Sequence, residues 1–304
     1  MMSNLEGILY NAVEMLFRLI GLVPRKPAIK ISDFLGRILF LIDKRHRRIA
    51  LDNLRYAFGP QKSPSEIRFI AKQVFANLVQ IVFEIGWSLQ LDKRNFAGYV
   101  NIEGYHHIKK AYEKGRGVLV LTAHFGNWEL LTVVGAMIKF PLSIVIRPLD
   151  FKPLDHFFFN LRTRFGGKII PKKRSFRKIL KSLNRGEMVA LLMDQNVDWY
   201  EGVFTDFMGR RACTNHGLAL LALKTGAPVI PVFMLREKTG LKGKFGPEIT
   251  FIQTGDRRKD IEVNTRQYNR VIEDMILEYP DQWFWIHQRW KTKPYHPWPR
   301  KTEG

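Results

Sequence analysis

The chain has 304 residues, 46% hydrophobic and 25% charged, enough apolar material for one large domain or two modest ones, which excludes wholesale disorder. Charge is the outlier: 49 Lys and Arg against 28 Asp and Glu leave +21 at pH 7, so a polyanionic partner is expected, whether nucleic acid, an anionic membrane face, a phosphorylated lipid or an acidic carrier protein. A single cysteine, Cys213, excludes an internal disulfide framework and a multi-cysteine metal site, and points to a reducing compartment.

The first residues, MMSNLEGILYNAVEMLFRLIGLVPRK, lack the basic start and small-residue cleavage site of a signal peptide. Residues 5–23 are largely apolar but contain Glu6, Glu14 and Arg18, which makes them marginal for a span needing roughly 20 apolar residues. Gly7, Asn11, Glu14 and Arg18 share one helical stripe, with Glu14 one turn from Arg18, while Leu5, Ile8, Leu9, Ala12, Leu16, Leu19 and Ile20 occupy the rest. Segment 1–24 reads as a membrane-associating amphipathic helix lying in or dipping into a bilayer surface; a helix packed on the domain and a true span are the alternatives. Arg25, Lys26, Lys30 and the run Lys44 to Arg48 follow it and suit anionic headgroups on the cytoplasmic side.

Helix-period apolar residues continue at 33–42, 45–57 and 64–89, with Ser63-Pro64-Ser65-Glu66 as a helix start. After Asn101 the texture changes. Short β-rich runs appear at 117–122, 143–147, 188–193, 228–233 and 248–253, separated mostly by helical stretches near 128–139, 153–165, 175–185, 213–225 and 263–279. Strands alternating with helices predict an α/β fold with a mostly parallel, mixed sheet flanked by helices. A helical region, 25–97, thus leads into an α/β core, 98–304, and the two are expected to share one hydrophobic interior. There are no repeats of fixed period and no low-complexity tracts.

In such sheets, ligands gather beyond the carboxyl ends of the strands. The residues after three of the predicted strands are Ala123-His124-Phe125-Gly126-Asn127-Trp128-Glu129, Arg147-Pro148-Leu149-Asp150 and Asp194-Gln195-Asn196. On one continuous helix His124 and Glu129 would sit about 140° apart. If His124 lies on the turn leaving its strand and Gly126 lets the backbone bend, the next helical turn can carry Glu129 beneath the imidazole. A carboxylate on one ring nitrogen fixes the tautomer and frees the other nitrogen to take a proton from an alcohol. The blander reading, a structural histidine beside a solvent-facing glutamate, is weakened by the strand-end placement.

HFGNWE after an apolar strand resembles the signature of the late lipid A acyltransferases, within the His-x4-Asp/Glu superfamily. The resemblance continues in order through RPLD at 147–150 with FNLRTRFGGKII, LLMDQN at 191–196, FMGRRACTNHGLALLALKTGAPVIPVF at 207–233 and QWFWIHQRWKTKP at 282–294. It spans roughly residues 30–295. Glu129 stands where the wider superfamily carries Asp, and Cys213 and His216 stand where relatives typically carry small or hydroxyl residues. The resemblance implies a glycerolphosphate-acyltransferase-like fold and transfer of a fatty acyl chain from acyl carrier protein to a hydroxyl of a lipid A precursor, at the cytoplasmic face of an inner membrane. Catalysis would fall to His124, oriented by Glu129, without a covalent intermediate or a cofactor. Arg147 would hold a phosphate or the reacting chain, Asp194 and Gln195 would bind polar acceptor groups or lock Arg147, and Asn127 and Arg210 would complete the substrate contacts. Acyl carrier protein and the phosphorylated glycolipid are both anionic and suit a surface of this charge.

Other candidates are bland. Cys213 reads as buried filler at a helix start, and His106 and His107 as surface residues. No cluster has metal-ligand spacing, and Gly115-Arg116-Gly117 precedes a strand instead of opening a helix. Trp283, Phe284, Trp285 and Trp290 among basic residues suit either base stacking, a headgroup interface or an aromatic core. Three rival classes remain: a nucleic-acid-binding module, a noncatalytic peripheral membrane protein, and an acyltransferase for another glycolipid or lysophospholipid. No nucleic-acid partner is expected.

Overall fold

The computed structural model describes residues 3–294 apart from positions 60, 93, 139, 141, 238 and 239; the ends of the segments assigned to 1–24 and 98–304 and the last residue of the helix expected at 128–139 lie outside them. Four helices open the chain: α1 (Asn4–Ile20), α2 (Arg25–Ile42), α3 (Lys44–Phe58) and α4 (Pro64–Ser88). Ser3 and Glu6 form a reciprocal capping box on α1, and Ser63 and Glu66 repeat it on α4, where Pro64 occupies the first turn. α2 starts eight residues earlier than its apolar period indicates, because Pro27 is harmless in a first turn whose N–H groups have no intrahelical partner.

α1 packs on the domain, one of the readings open to it. Its Phe17 stacks on Phe157 at 4.5 Å, Asn160 donates to the Tyr10 hydroxyl, and Glu14 pairs with Arg18. At its end Gly21 meets α4 so closely that a Cβ there would lie 2.5 Å from the Gly86 carbonyl oxygen. The helix is therefore docked, with Gly7 and Glu14 turned partly toward the protein. Its greasy face, including Leu5, Ile8, Leu16 and Leu19, stays exposed. The chain then bends by 113° into α2, which also leaves Phe34, Leu41 and Ile42 exposed. α4 is the one described helix long and apolar enough to cross a membrane, yet more than half of its apolar stretch is buried against α1, α2 and α3, as befits a core helix.

The remainder is β1 (Val100–Glu103), α5 (Tyr105–Tyr112), β2 (Val118–Thr122), a 3-10 turn (Trp128–Leu130), α6 (Leu131–Met137), β3 (Leu142–Ile146), α7 (Lys152–Thr163), β4 (Lys168–Pro171), α8 (Ser175–Asn184), β5 (Met188–Leu192), β6 (Gly202–Phe207), β7 (Arg210–Asn215), α9 (Gly217–Thr225), β8 (Val229–Arg236), β9 (Leu241–Phe245) and α10 (Arg257–Glu278). Seven strands form one sheet in the order β1-β9-β8-β2-β5-β3-β4. β8, β2, β5, β3 and β4 are mutually parallel, and β9 runs against β8. The α/β fold with a mostly parallel, mixed sheet is as expected. β2 lies at the centre and is buried along its whole length, as a parallel strand covered on both faces must be. Leu119 and Leu121 join the cluster that holds α3, α4, α9 and α10, while Val118 and Val120 join the one under α5 and α6. The N-terminal helices thus pack into the same interior as the sheet.

Two expectations fail. Residues 248–253 are not a sheet strand. Asn264 satisfies the Ile252 backbone on both sides, donating to its oxygen at 2.8 Å and accepting from its nitrogen at 2.9 Å, and only Ile249 bridges to Val229. A side chain thereby replaces a ladder. The helix expected from 213 begins at Gly217, because Cys213 to Asn215 belong to the β6–β7 hairpin. Met208 and Gly209 both have positive φ there, which matches the twist of a two-residue hairpin turn, and Met is an uncommon residue for it.

Candidate active site

Register builds the site. β2 pairs with β5 in parallel, Thr122 opposite Leu192, so the residues two places beyond each strand, His124 and Asp194, arrive side by side. Asp194 accepts from the His124 backbone N–H at 3.0 Å and from the ring Nδ1 at 2.9 Å. The Trp283 indole donates to the same carboxylate at 2.8 Å. Burial pushes the Asp194 carboxyl up, but the His124 imidazole and these hydrogen bonds outweigh it and hold the group below the usual carboxylate range. An ionised Asp194 requires the proton on Nδ1, which leaves Nε2 as the basic atom. Nε2 lies 3.3 Å from the Gln195 amide nitrogen, and one fifth of the imidazole side chain is exposed. Trp128 stands edge-on to the ring at 5.1 Å, and Phe284 lies tilted at 5.8 Å.

Glu129 does not orient the imidazole. Its Oε2 takes both Nε and Nη2 of Arg162, at 2.9 and 2.7 Å, and its Oε1 accepts from the Trp128 indole at 3.1 Å. The reason is desolvation. The Arg162 side chain is 9% exposed, and a buried guanidinium without a carboxylate is costly, so Arg162 claims Glu129 while Asp194 serves His124. Glu129 reaches the imidazole only through Trp128.

Asp194 and Asn127 also depart from their expected role as substrate contacts. Asp194 is 1% exposed and already saturated, so it offers nothing to an acceptor and does not reach Arg147. Asn127 is wholly buried and donates to Glu84 of α4 at 2.9 Å. Glu84 pairs bidentately with Arg236 at the end of β8, and Gln282 ties the Arg236 backbone to the Gly126 nitrogen. Gly126 has φ +55°, and a Cβ there would lie 1.8 Å from the Met234 carbonyl oxygen. Only glycine fits that turn. Arg147 leaves β3, separated from β2 by β5, so its backbone stands about 10 Å from that of His124; its side chain is exposed and, among the described residues, pairs only with exposed Asp150. Arg210 stacks over Tyr56 at 4.1 Å. Of the expected substrate contacts, Asp194 and Gln195 touch the imidazole, Asp194 at Nδ1 and Gln195 at Nε2.

Several residues of the site escape sequence reasoning: Glu84, Arg162, Arg236, Trp283 and His287. A lone acid inside the apolar run of α4 was a signal for Glu84, since a charge buried there needs a partner. His287 accepts from the Asn196 backbone at 2.8 Å, and burial, opposed by Asp194, lowers its pKa to about 4, so it stays neutral and steadies the loop after Asp194. Trp283, Trp285 and Trp290 are buried; they are core, not a stacking platform. Cys213 is buried in β7, and burial raises its thiol pKa. Among the described residues no three His, Cys, Asp or Glu side chains gather to hold a metal. What the site presents is an imidazole with a carboxylate on Nδ1 and an amide beside Nε2, an arrangement that suits proton abstraction from a hydroxyl.

The family model described as bacterial lipid A biosynthesis acyltransferase matches residues 4–292. Among curated relatives, a lipid A biosynthesis acyltransferase of Haemophilus influenzae is 26% identical over 275 residues, 90% of this chain and 85% of that one. A lipid A biosynthesis lauroyltransferase of Escherichia coli is 28% identical, covering 86% and 84%. A palmitoleoyltransferase of the same pathway in Escherichia coli is 27% identical, covering 83% and 80%.

Proposed function

The chain belongs to the bacterial lipid A biosynthesis acyltransferase family, and from that premise we propose that it moves a fatty acyl chain from acyl carrier protein to a hydroxyl of a lipid A precursor. The class of reaction, acyl transfer in lipid A biosynthesis, follows from the family. The observation that carries the proposal is the His124–Asp194 pair, because it leaves Nε2 unprotonated at a partly open position.

In this mechanism the acceptor hydroxyl displaces the Gln195 amide from Nε2. As its oxygen attacks the thioester carbonyl, Nε2 takes the proton and Asp194 stabilises the imidazolium. The carbonyl π electrons move onto oxygen and return as the carbon–sulfur bond breaks. The thiolate leaves with the proton from Nε2, the ester is formed, and His124 is neutral again. Gln195, freed from the ring, holds the hydroxyl or the developing oxyanion by its amide N–H. Glu129 acts as a positioning residue, keeping Trp128 edge-on to the ring.

The exposed faces of α1 and α2, with Lys26 and Lys30 nearby, support a peripheral seat on an anionic inner-membrane surface at its cytoplasmic side. The chain's charge supports recognition of an acidic donor protein. The test combines turnover and mass spectrometry of the lipid product. His124→Ala is expected to lower kcat by about 10³-fold or more with the fold intact, and the product mass of the wild type should rise by one acyl chain. Turnover near wild type in the variant, or acylation of a lysophospholipid in preference to the lipid A precursor, overturns the reading.

A further inference from the structure

An open cleft of about 490 Å³ borders the site through Phe284 and has no part in the acyl-transfer mechanism. Its inner wall includes Phe284, whose ring borders His124, and Asn196, the neighbour of Gln195. Its outer wall comes from the start of α3 and from the C-terminal segment, through Arg45, His46 and Lys291. The cations here are not equivalent. His46 is engaged by Asp43 at 2.7 Å and Lys172 by Glu201 at 3.2 Å. Arg45 and Lys291 are exposed and have no ion pair among the described residues. The lining also includes the exposed Asp198 carboxylate and Gln288 amide, whereas the Asn196 amide is taken by Thr292, to which it donates at 2.9 Å and from which it accepts at 3.0 Å. Two unpaired cations in one cleft with a carboxylate and an amide do not suit a bare anion or an apolar chain; they suit a sugar that carries a phosphate, the cations taking its charge and the Asp198 and Gln288 side chains its hydroxyls.

Position supports the same ligand. The exposed apolar strip of α2 ends at Leu41 and Ile42, 58% and 66% exposed, immediately before the residues that open the cleft. A lipid whose chains remain in a bilayer along that strip would bring its headgroup to Arg45 and its hydroxyls toward Nε2. We infer that this cleft receives the phosphorylated sugar headgroup of the lipid acceptor, with Arg45 and Lys291 as the phosphate contacts. The inference rests on the acyl-transfer reading for the identity of the lipid.

The test uses the full chain carrying Arg45→Gln and Lys291→Gln together, both at exposed, unpaired positions. Binding is measured to detergent micelles doped with a phosphorylated diglucosamine lipid, or with the same lipid after phosphatase treatment. The double variant should bind the phosphorylated lipid at least about tenfold more weakly than wild type, the scale of one or two charge-assisted contacts. Both proteins should bind the dephosphorylated lipid equally weakly, and the KM for the acyl donor should not move. Unchanged binding, an equal loss with both lipids, or a raised donor KM, which would assign the cations to the donor's phosphodiester arm, overturns the inference. Phosphate-dependent binding lost in the double variant while wild type transfers no acyl chain would retain the cleft and sink the reaction.

Discussion

The turns leaving β2 and β3 emerge at the same edge of one sheet, and each delivers a polar side chain, yet they have become opposite kinds of place. The β2 turn is enclosed: His124 is held by Asp194, Asn127 by Glu84, the Gly126 nitrogen by Gln282, and Trp283 and Phe284 close over it. The β3 turn is open, and among the described residues Arg147 has only Asp150 as an ion-pair partner, with side chains 76% and 93% exposed. A strand end concentrates polar groups, but a defined tautomer and a directed lone pair require that other segments pack over it and exclude water. Such enclosure makes a hydrogen bond worth more and a broken one more expensive.

The largest test of that contrast is Asp194→Asn. An amide cannot enforce the Nδ1 proton, so kcat should fall by about 10³- to 10⁴-fold while the acceptor KM changes little; steady-state kinetics that retain even a tenth of the activity would remove Asp194 as the orienter. Glu129→Ala comes next and should act differently. It strands the buried Arg162 guanidinium and is expected to cost about 3 kcal/mol of stability in denaturant unfolding, with activity lost through a displaced Trp128. A loss of turnover at unchanged stability would return Glu129 to direct contact with the imidazole.

A smaller effect depends on pH. His287 has a folded pKa of about 4 against an ordinary 6.5. Between those values the unfolded chain binds a proton that the folded chain refuses, so stability rises with pH across this window, is fully present above about 6.5 and is lost as pH falls toward 4. In His287→Gln, whose amide oxygen can still accept from Asn196, the drop in Tm between about pH 7 and pH 5 should shrink; an identical drop in both proteins would mean that His287 is not held neutral. The smallest effect belongs to the open turn. Arg147→Ala should change stability by less than about 0.5 kcal/mol, since an exposed ion pair contributes little, and should raise substrate KM a few-fold without altering kcat. A collapse of kcat would show that the β3 turn closes over the reacting atoms during turnover.

How much of the site was legible depended on how local its causes were. His124, at the end of an apolar run with Gly126 two residues on, announced itself, and so did the capping box at Ser63. Glu129 was the partner suggested by a bend at Gly126 and by the family resemblance, but it sits on Arg162 instead, because nothing in HFGNWE tells of that residue of α7, whose burial decides where the carboxylate goes. Asp194 stood in plain view after its strand as a substrate contact, but its role turned on β5 lying next to β2, although β3 and β4 fall between them in the chain. The β6–β7 hairpin was hidden by a turn built on Met208, which composition does not flag.

By itself the order of residues determined the N-terminal helices, the strands β2, β3, β5 and β8, the helix start at Ser63, the glycine turn after β2 and the net charge, since all of these follow from neighbours within a few positions. Only the tertiary structure decided which carboxylate meets the imidazole, which meets a buried guanidinium, and which strand-end turn is sealed. Those choices are competitions between groups far apart in the chain, settled by the cost of leaving a charge in a dry interior without its partner.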